Sequence, residues 1–228
     1  MTWSAPAGLR VAGGGRIQAF QVPRGSVSMS DGIAHRVVIH ADESCLGNGM
    51  DGHNPGGAAS LVEILGAGGI RRYDLYLSAP DTTNNRMALA GAIATLALVS
   101  DKYGRANLTF VSDSQYLVKG ISEWAPAWRA RGWRRKGGRI ENLELWKRLV
   151  AMSGQHRTSW QWVRGHAGHA KNEYANDMAI RAATEQTVSD GLVESGFDAW
   201  LGGRQARGQF IDFDPNHHAR VLTEALGR

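Results

Sequence analysis

Three strand-like runs follow one another before the first long helical pattern, and that order constrains the fold more than any other feature of the chain. "HRVVIHAD" from His35, "AASLVEIL" from Ala58 and "RRYDLYLS" from Arg71 are short β-rich runs separated by turn-forming glycines. Their succession predicts an antiparallel meander. A helix follows, with Asn84 or Asn85 as its cap and Leu89, Ile93 and Leu96 at helical spacing. "NLTFVSD" returns as a strand, and "SDSQYLVKGISEW" opens a second helix with Ser112 or Asp113 near its start. A Trp/Arg/Gly segment, a helix around "ENLELWKRLVAM", a fifth strand "TSWQWVRG" and a final helix "KNEYANDMAIRAAT" complete the order βββαβααβα. The expectation is an α/β fold, a mixed five-stranded sheet flanked by helices.

A chain of 228 residues, 43% of them hydrophobic, can bury one sizeable core and carry extensions. Residues 1–34, with Gly13–Gly15, Pro23 and "SVSMSDG", read as a flexible N-terminal extension. Residues 35–185 read as the domain. In residues 186–228 glycines break every period until a short helix near Ala219–Leu226, and the role of this extension is unreadable. Cys45 is the only cysteine, which excludes an intrachain disulfide and a Cys-rich zinc site. No apolar run approaches the ~20 residues that span a bilayer, and the N-terminus lacks the apolar segment of a secretory signal. A cytoplasmic monomer with no membrane and no protein partner is expected. The net charge of +5 favours an anionic partner.

The chemistry is carried by acids. Asp42 ends the first strand, Asp113 ends the fourth, and Asp177 lies in the last long helix of the domain. Acids at the carboxyl ends of neighbouring strands converge on the crevice where α/β sheets bind ligands. Clustered carboxylates repel unless a cation neutralises them or their pKa values rise. Hard oxygen donors without thiolate favour Mg²⁺, with Mn²⁺ as the alternative. Taken singly, Asp42 or Asp113 reads first as a cap of a turn or helix, and it is their sequence contexts that reverse this.

The contexts of these acids resemble type 1 ribonuclease H. "DESCLGNG" is similar to that family's first-strand motif, "TTNNRM" to its first-helix motif, "SDSQYLVKGI" to its second-aspartate motif and "WVRGHAGHAKNEYANDMA" to its C-terminal motif. "EWAPAWRARGWRRKGGRIENLELWKRL" resembles the basic handle of the bacterial enzymes, about residues 124–148. The resemblance covers roughly residues 35–185 in order. It implies Mg²⁺-dependent endonucleolytic hydrolysis of the RNA strand of RNA–DNA hybrids by two metal ions. It implies metal ligation by Asp42, Asp113 and Asp177, and proton shuttling or aid to product release by His166, an imidazole that titrates near neutrality. It places recognition of the ribose 2′-hydroxyl on the carboxamides Asn48, Asn84 and Gln115. Without the family, Asn48 reads as a turn residue, Asn84 as a helix cap and His166 as a loop hydrogen-bonder.

In the handle, Trp124, Trp128, Arg129, Arg131, Trp133 and Arg134 stand in an acid-free run, residues 124–139. Guanidinium groups among indoles suit pairing with phosphates beside an apolar wall for sugars, so this run is assigned to the DNA strand. The same composition also describes a solvated face with core tryptophans. One departure from the family is sharp: after "TTNNRM" the resemblance calls for a metal-binding glutamate, and Ala88 stands there. The sequence leaves open a deliberate substitution, a natural variant working with three carboxylates, and a catalytically inactive hybrid-binding protein. Glu43, next to Asp42, is expected to point to the opposite face of the strand and to offer limited rescue. Weak activity and strong stimulation by Ala88→Glu are the expectations.

Overall fold

The computed structural model describes residues 35–47, 53–66, 69–165 and 167–217. Strands β1 (His35–Cys45), β2 (Gly56–Gly66) and β3 (Gly69–Ala79) form the expected meander, with Asp42 opposite Ala59 and Ala59 opposite Tyr76. Helix α1 (Asn84–Tyr103) then carries the chain to β4 (Ala106–Ser112), which pairs parallel with β1. Strand β5 (Arg157–Trp162) pairs parallel with β4 at the edge. The spatial order is β5-β4-β1-β2-β3-β6.

The sixth strand is a difference from the five expected. β6 (Val193–Glu194) comes from the C-terminal extension and pairs antiparallel with Tyr73 and Asp74 of β3. Two residues carry no alternation, so their sequence gives no strand signal. Helix α6 (Phe197–Gln205) follows, through Gly202 and Gly203. Phe197 and Leu201, one turn apart and buried, pack with Tyr174 and Met178 of α5 (Ala170–Glu185), and that burial outweighs the poor helix propensity of glycine. The helix expected near Ala219–Leu226 lies outside the described residues.

Strand alternation sorts the side chains into two layers. Val37, Ile39 and Ala41 of β1 join Leu108 and Phe110 of β4 in a cluster with α1 and α4 (Leu143–Ser153). On the other face Ala59 and Leu61 of β2 pack against α5 and α6. The helix expected from "SDSQYLVKGISEW" is broken into α2 (Gln115–Lys119), a π-helical turn Gly120–Trp124, and α3 (Ala125–Ala130). Pro126 has no N–H to give to the preceding turn, which accounts for the irregular hydrogen bonding there. Gly120 lies against the indole of buried Trp146, where a Cβ would collide.

Candidate active site

The last register pair between the parallel strands β1 and β4 is Ala41 with Ser112, so Asp42 and Asp113 are the next residue on each strand. Both face the carboxyl ends of the strands, where the sheet opens. Asp42 is 7% exposed. Its pKa is pushed up to about 7, first by burial and then by the charge of Asp113; the Glu43 amide and the Asn172 side chain hold it down in part. Asn172 donates to Asp42 Oδ2 at 3.3 Å from the first turn of α5. Ser114 is the N-cap of α2 and makes no side-chain cap hydrogen bond, while its own amide donates to Ser112 Oγ. Gly165 lies so close to the Asp113 carboxylate that a Cβ there would collide with it.

Glu43 is the residue that sequence reasoning undervalued. Alternation does turn it away from Asp42, but toward the face of Val37, Ile39 and Ala41, which α1 covers. Ala88 of α1 is buried in that same cluster with Ala41. Glu43 has its pKa raised to about 8 by burial and then by Asp42, with Ser114 opposing and Asp113 adding to the rise. Three carboxyls therefore act on one another: Asp42, Glu43 and Asp113. The available signal was the adjacency "DE" in "DESCLGNG", read together with the face on which the missing acid should lie.

Asp177 is not brought to this group. Its carboxylate accepts from Trp200 Nε1 at 2.8 Å and pairs with Arg204 Nη2 at 2.6 Å, both on α6. Five residues along a helix is about 140° of rotation from Asn172, so Asp177 leaves the face that meets Asp42. Asn176, four residues from Asn172 and about 40° from it, shares that face. Among the described residues, no three His, Cys, Asp or Glu side chains are gathered closely enough to hold a metal ion, Asp42, Glu43 and Asp113 included. In chemistry the donors still suit a hard divalent cation, since buried carboxyls with raised pKa values are what a cation would neutralise.

The other assigned residues divide. Asn48 and His166 lie outside the described residues. Thr83, rather than Asn84 or Asn85, caps α1, its side chain accepting the Arg86 amide. Asn84 is thereby freed, and its buried Oδ1 has no hydrogen-bond partner among the described residues. Gln115 is exposed at the start of α2, two residues after Asp113. In the handle, Arg129, Arg131 and Arg134 are exposed. Trp124, 36% exposed, packs on Trp128 at 6.0 Å, and Trp128 meets Trp146 at 5.8 Å. This ladder of indoles is rooted in the core and ends at the surface. Trp133, partly buried, sits at a left-handed turn with φ 61°.

Known proteins resemble the chain over this same region. Ribonuclease H of Pelobacter propionicus is 41% identical over 150 residues, 65% of this chain and 85% of that protein. Ribonuclease H of Escherichia coli O9:H4 is 37% identical over 156 residues, 68% of this chain and 94% of that protein. A crystal structure of LC9-RNase H1, described as a type 1 RNase H with the type 2 active-site motif, matches with a TM-score of 0.70 at 51% identity. That likeness covers 75% of this chain and 83% of the other. The RNase H family model matches residues 34–184, and a match of that span, on a sheet that sets Asp42 beside Asp113, places the chain in the ribonuclease H family.

Proposed function

We infer that this chain is a ribonuclease H that hydrolyses the RNA strand of RNA–DNA hybrids, with its cleavage centre at Asp42, Glu43 and Asp113. The observation that carries the reading is the set of three interacting carboxyls Asp42, Glu43 and Asp113 at the open end of the parallel strands, with Asp42 and Glu43 raised first by burial and then by their charged neighbours. Asp42 and Asp113 would hold the cation, Mg²⁺ by preference with Mn²⁺ as substitute, and Glu43 would supply the carboxylate that Ala88 lacks. Asn176 would offer a neutral oxygen donor from α5. The cation, when bound, lowers the pKa of water and stabilises negative charge on the phosphodiester.

The chain's own residues do the rest. Asn172 orients Asp42 through its side-chain amide. Asn84, by resemblance, would recognise the ribose 2′-hydroxyl, a contact DNA cannot make. Gln115, and Asn48 by resemblance, serve the same recognition. The exposed arginines of the handle pair with phosphates of the DNA strand beside the indoles of Trp124, Trp128 and Trp133. His166 would shuttle protons or help the cleaved strand leave. Asp177, bound as it is by Trp200 and Arg204, contributes from outside the centre.

The deciding experiment is a cleavage time course on an end-labelled RNA–DNA hybrid, with duplex DNA and duplex RNA as controls, in Mg²⁺, in Mn²⁺ and in chelator. Cuts within the RNA strand of the hybrid alone, dependent on the metal, are expected. Binding of the hybrid without any cutting would transfer the chain to the hybrid-binding class.

A further inference from the structure

We propose that the C-terminal extension is a brace for the cleavage centre, with Arg72 as a positioning residue at its hub. The proposal rests on the assignment of Asp42 to that centre. Arg72, on β3, reaches in two directions. Inward, its Nε bonds Glu63 Oε1 at 2.9 Å, and the other oxygen of Glu63 takes Lys171 Nζ at 2.7 Å. Glu63 is 1% exposed, so this carboxylate is held in the fold by its two cations rather than by water. Outward, Arg72 Nη1 meets Asp198 Oδ1 at 3.1 Å, while Nη2 donates to the Pro215 carbonyl at 2.9 Å and to Asn216 Oδ1 at 2.6 Å. All three outer partners belong to the extension, beyond the residues that match the family model.

Lys171 immediately precedes Asn172, the residue that bonds Asp42. The contacts therefore run unbroken from Asp198 and Asn216 through Arg72, Glu63 and Lys171 to the first turn of α5. A second tie lies further along the same helix, where Trp200 and Arg204 of α6 bind Asp177. The two ties, at 171 and 177, bracket Asn172 and Asn176, the residues on the face toward Asp42. Between them Tyr174 is packed edge-on against Phe197 at 5.3 Å and Trp200 at 5.4 Å. The extension thus fixes both the height and the rotation of the α5 segment that closes the centre. A shift of about 1 Å at a reacting geometry is enough to cost ~100-fold in rate.

The test uses the full chain carrying Asp198→Ala, Asn216→Ala and Arg204→Met together, with Ser100→Ala as a distant surface control. These changes remove the Asp198 and Asn216 contacts to Arg72 and the Arg204 contact to Asp177, while the Pro215 and Trp200 contacts and the cations on Glu63 stay in place. Asp198→Ala alone, at an exposed position, serves as the milder variant should the triple form fold poorly. Two readouts are taken: hydrogen exchange of the amides of residues 172–178 in metal-free protein, and kcat and KM on the hybrid. Exchange at least tenfold faster in that segment, with kcat about tenfold lower and KM within twofold, is expected. Exchange within twofold of the parent overturns the brace, and faster exchange with unchanged kcat overturns the positioning role. A parent that cuts no hybrid removes the cleavage reading, and the exchange result still decides whether the extension braces α5.

Discussion

Asp42 and Asp113 stand side by side as the first residues past the last backbone pair of two parallel strands, and the charge of Asp113 raises the cost of ionising Asp42. The pairing follows from topology: a parallel connection through α1 aligns the two carboxyl ends, so two acids far apart in the chain share one mouth. Removing either carboxylate is expected to lower kcat/KM on the hybrid by about 1,000-fold, ~4 kcal/mol at 1.36 kcal/mol per tenfold. Asp42→Asn and Asp113→Asn, measured for cleavage and for hybrid affinity in chelator, check this; affinity in chelator is expected to stay within a few-fold.

Glu43 and Ala88 make a reciprocal prediction. Glu43→Gln is expected to reduce cleavage by about 100-fold, ~2.7 kcal/mol. Ala88→Glu in the parent buries a carboxyl among the apolar side chains around Ala41, so it is expected to lower the melting temperature of metal-free protein and, with Glu43 already present, to raise activity little rather than strongly as the sequence alone suggests. In the Glu43→Gln background the same substitution is expected to restore activity at least tenfold. No recovery in the double variant would show that the two positions do not serve one ligand site.

The two raised carboxyls fix how stability responds to pH. Asp42 and Glu43 titrate at about 7 and about 8 in the folded chain, against 3.8 and 4.5 ordinarily. The folded, metal-free protein therefore holds these protons more tightly than the unfolded chain does. The contribution to stability is full below about pH 4 and is lost as pH rises through 7 and 8. The melting temperature in chelator is expected to fall between pH 5 and pH 9, each kcal/mol being worth ~2–4 °C for a chain of this size. Saturating Mg²⁺ is expected to raise it more at pH 8 than at pH 5, since the cation competes with those protons. Scanning calorimetry across that range, with and without Mg²⁺, checks both signs.

Gly165 gives a steric prediction. A methyl added to its Cα would collide with the Asp113 carboxylate and must displace it. Gly165→Ala is expected to leave the fold and the hybrid affinity intact while reducing kcat by tenfold or more. Circular dichroism together with steady-state kinetics separates that outcome from simple unfolding.

The handle predicts a salt dependence. Arg129, Arg131 and Arg134 are exposed and belong to an acid-free run. Replacing all three with alanine is expected to weaken hybrid binding and to flatten the plot of log affinity against log salt, by up to ~0.9 for each phosphate that is no longer neutralised. Titrations at several salt concentrations, in chelator to prevent cleavage, would reveal it.

Hydrophobic period and acid placement were enough to specify β1 to β5, the long helices α1, α4 and α5, and the meeting of Asp42 with Asp113, because each of these depends on local pattern plus a common connection rule. Other features were decided only when the chain closed on itself. The cap of α1 is Thr83, and that choice frees Asn84. The glycine-bearing α6 forms because Phe197 and Leu201 find an apolar face on α5. Glu43 gains its meaning from the helix that covers its side of β1, and Asp177 meets an arginine and an indole that come from α6, beyond any local pattern. A linear pattern tells how often a side chain turns toward a face; what waits on that face is set by residues far away in the chain.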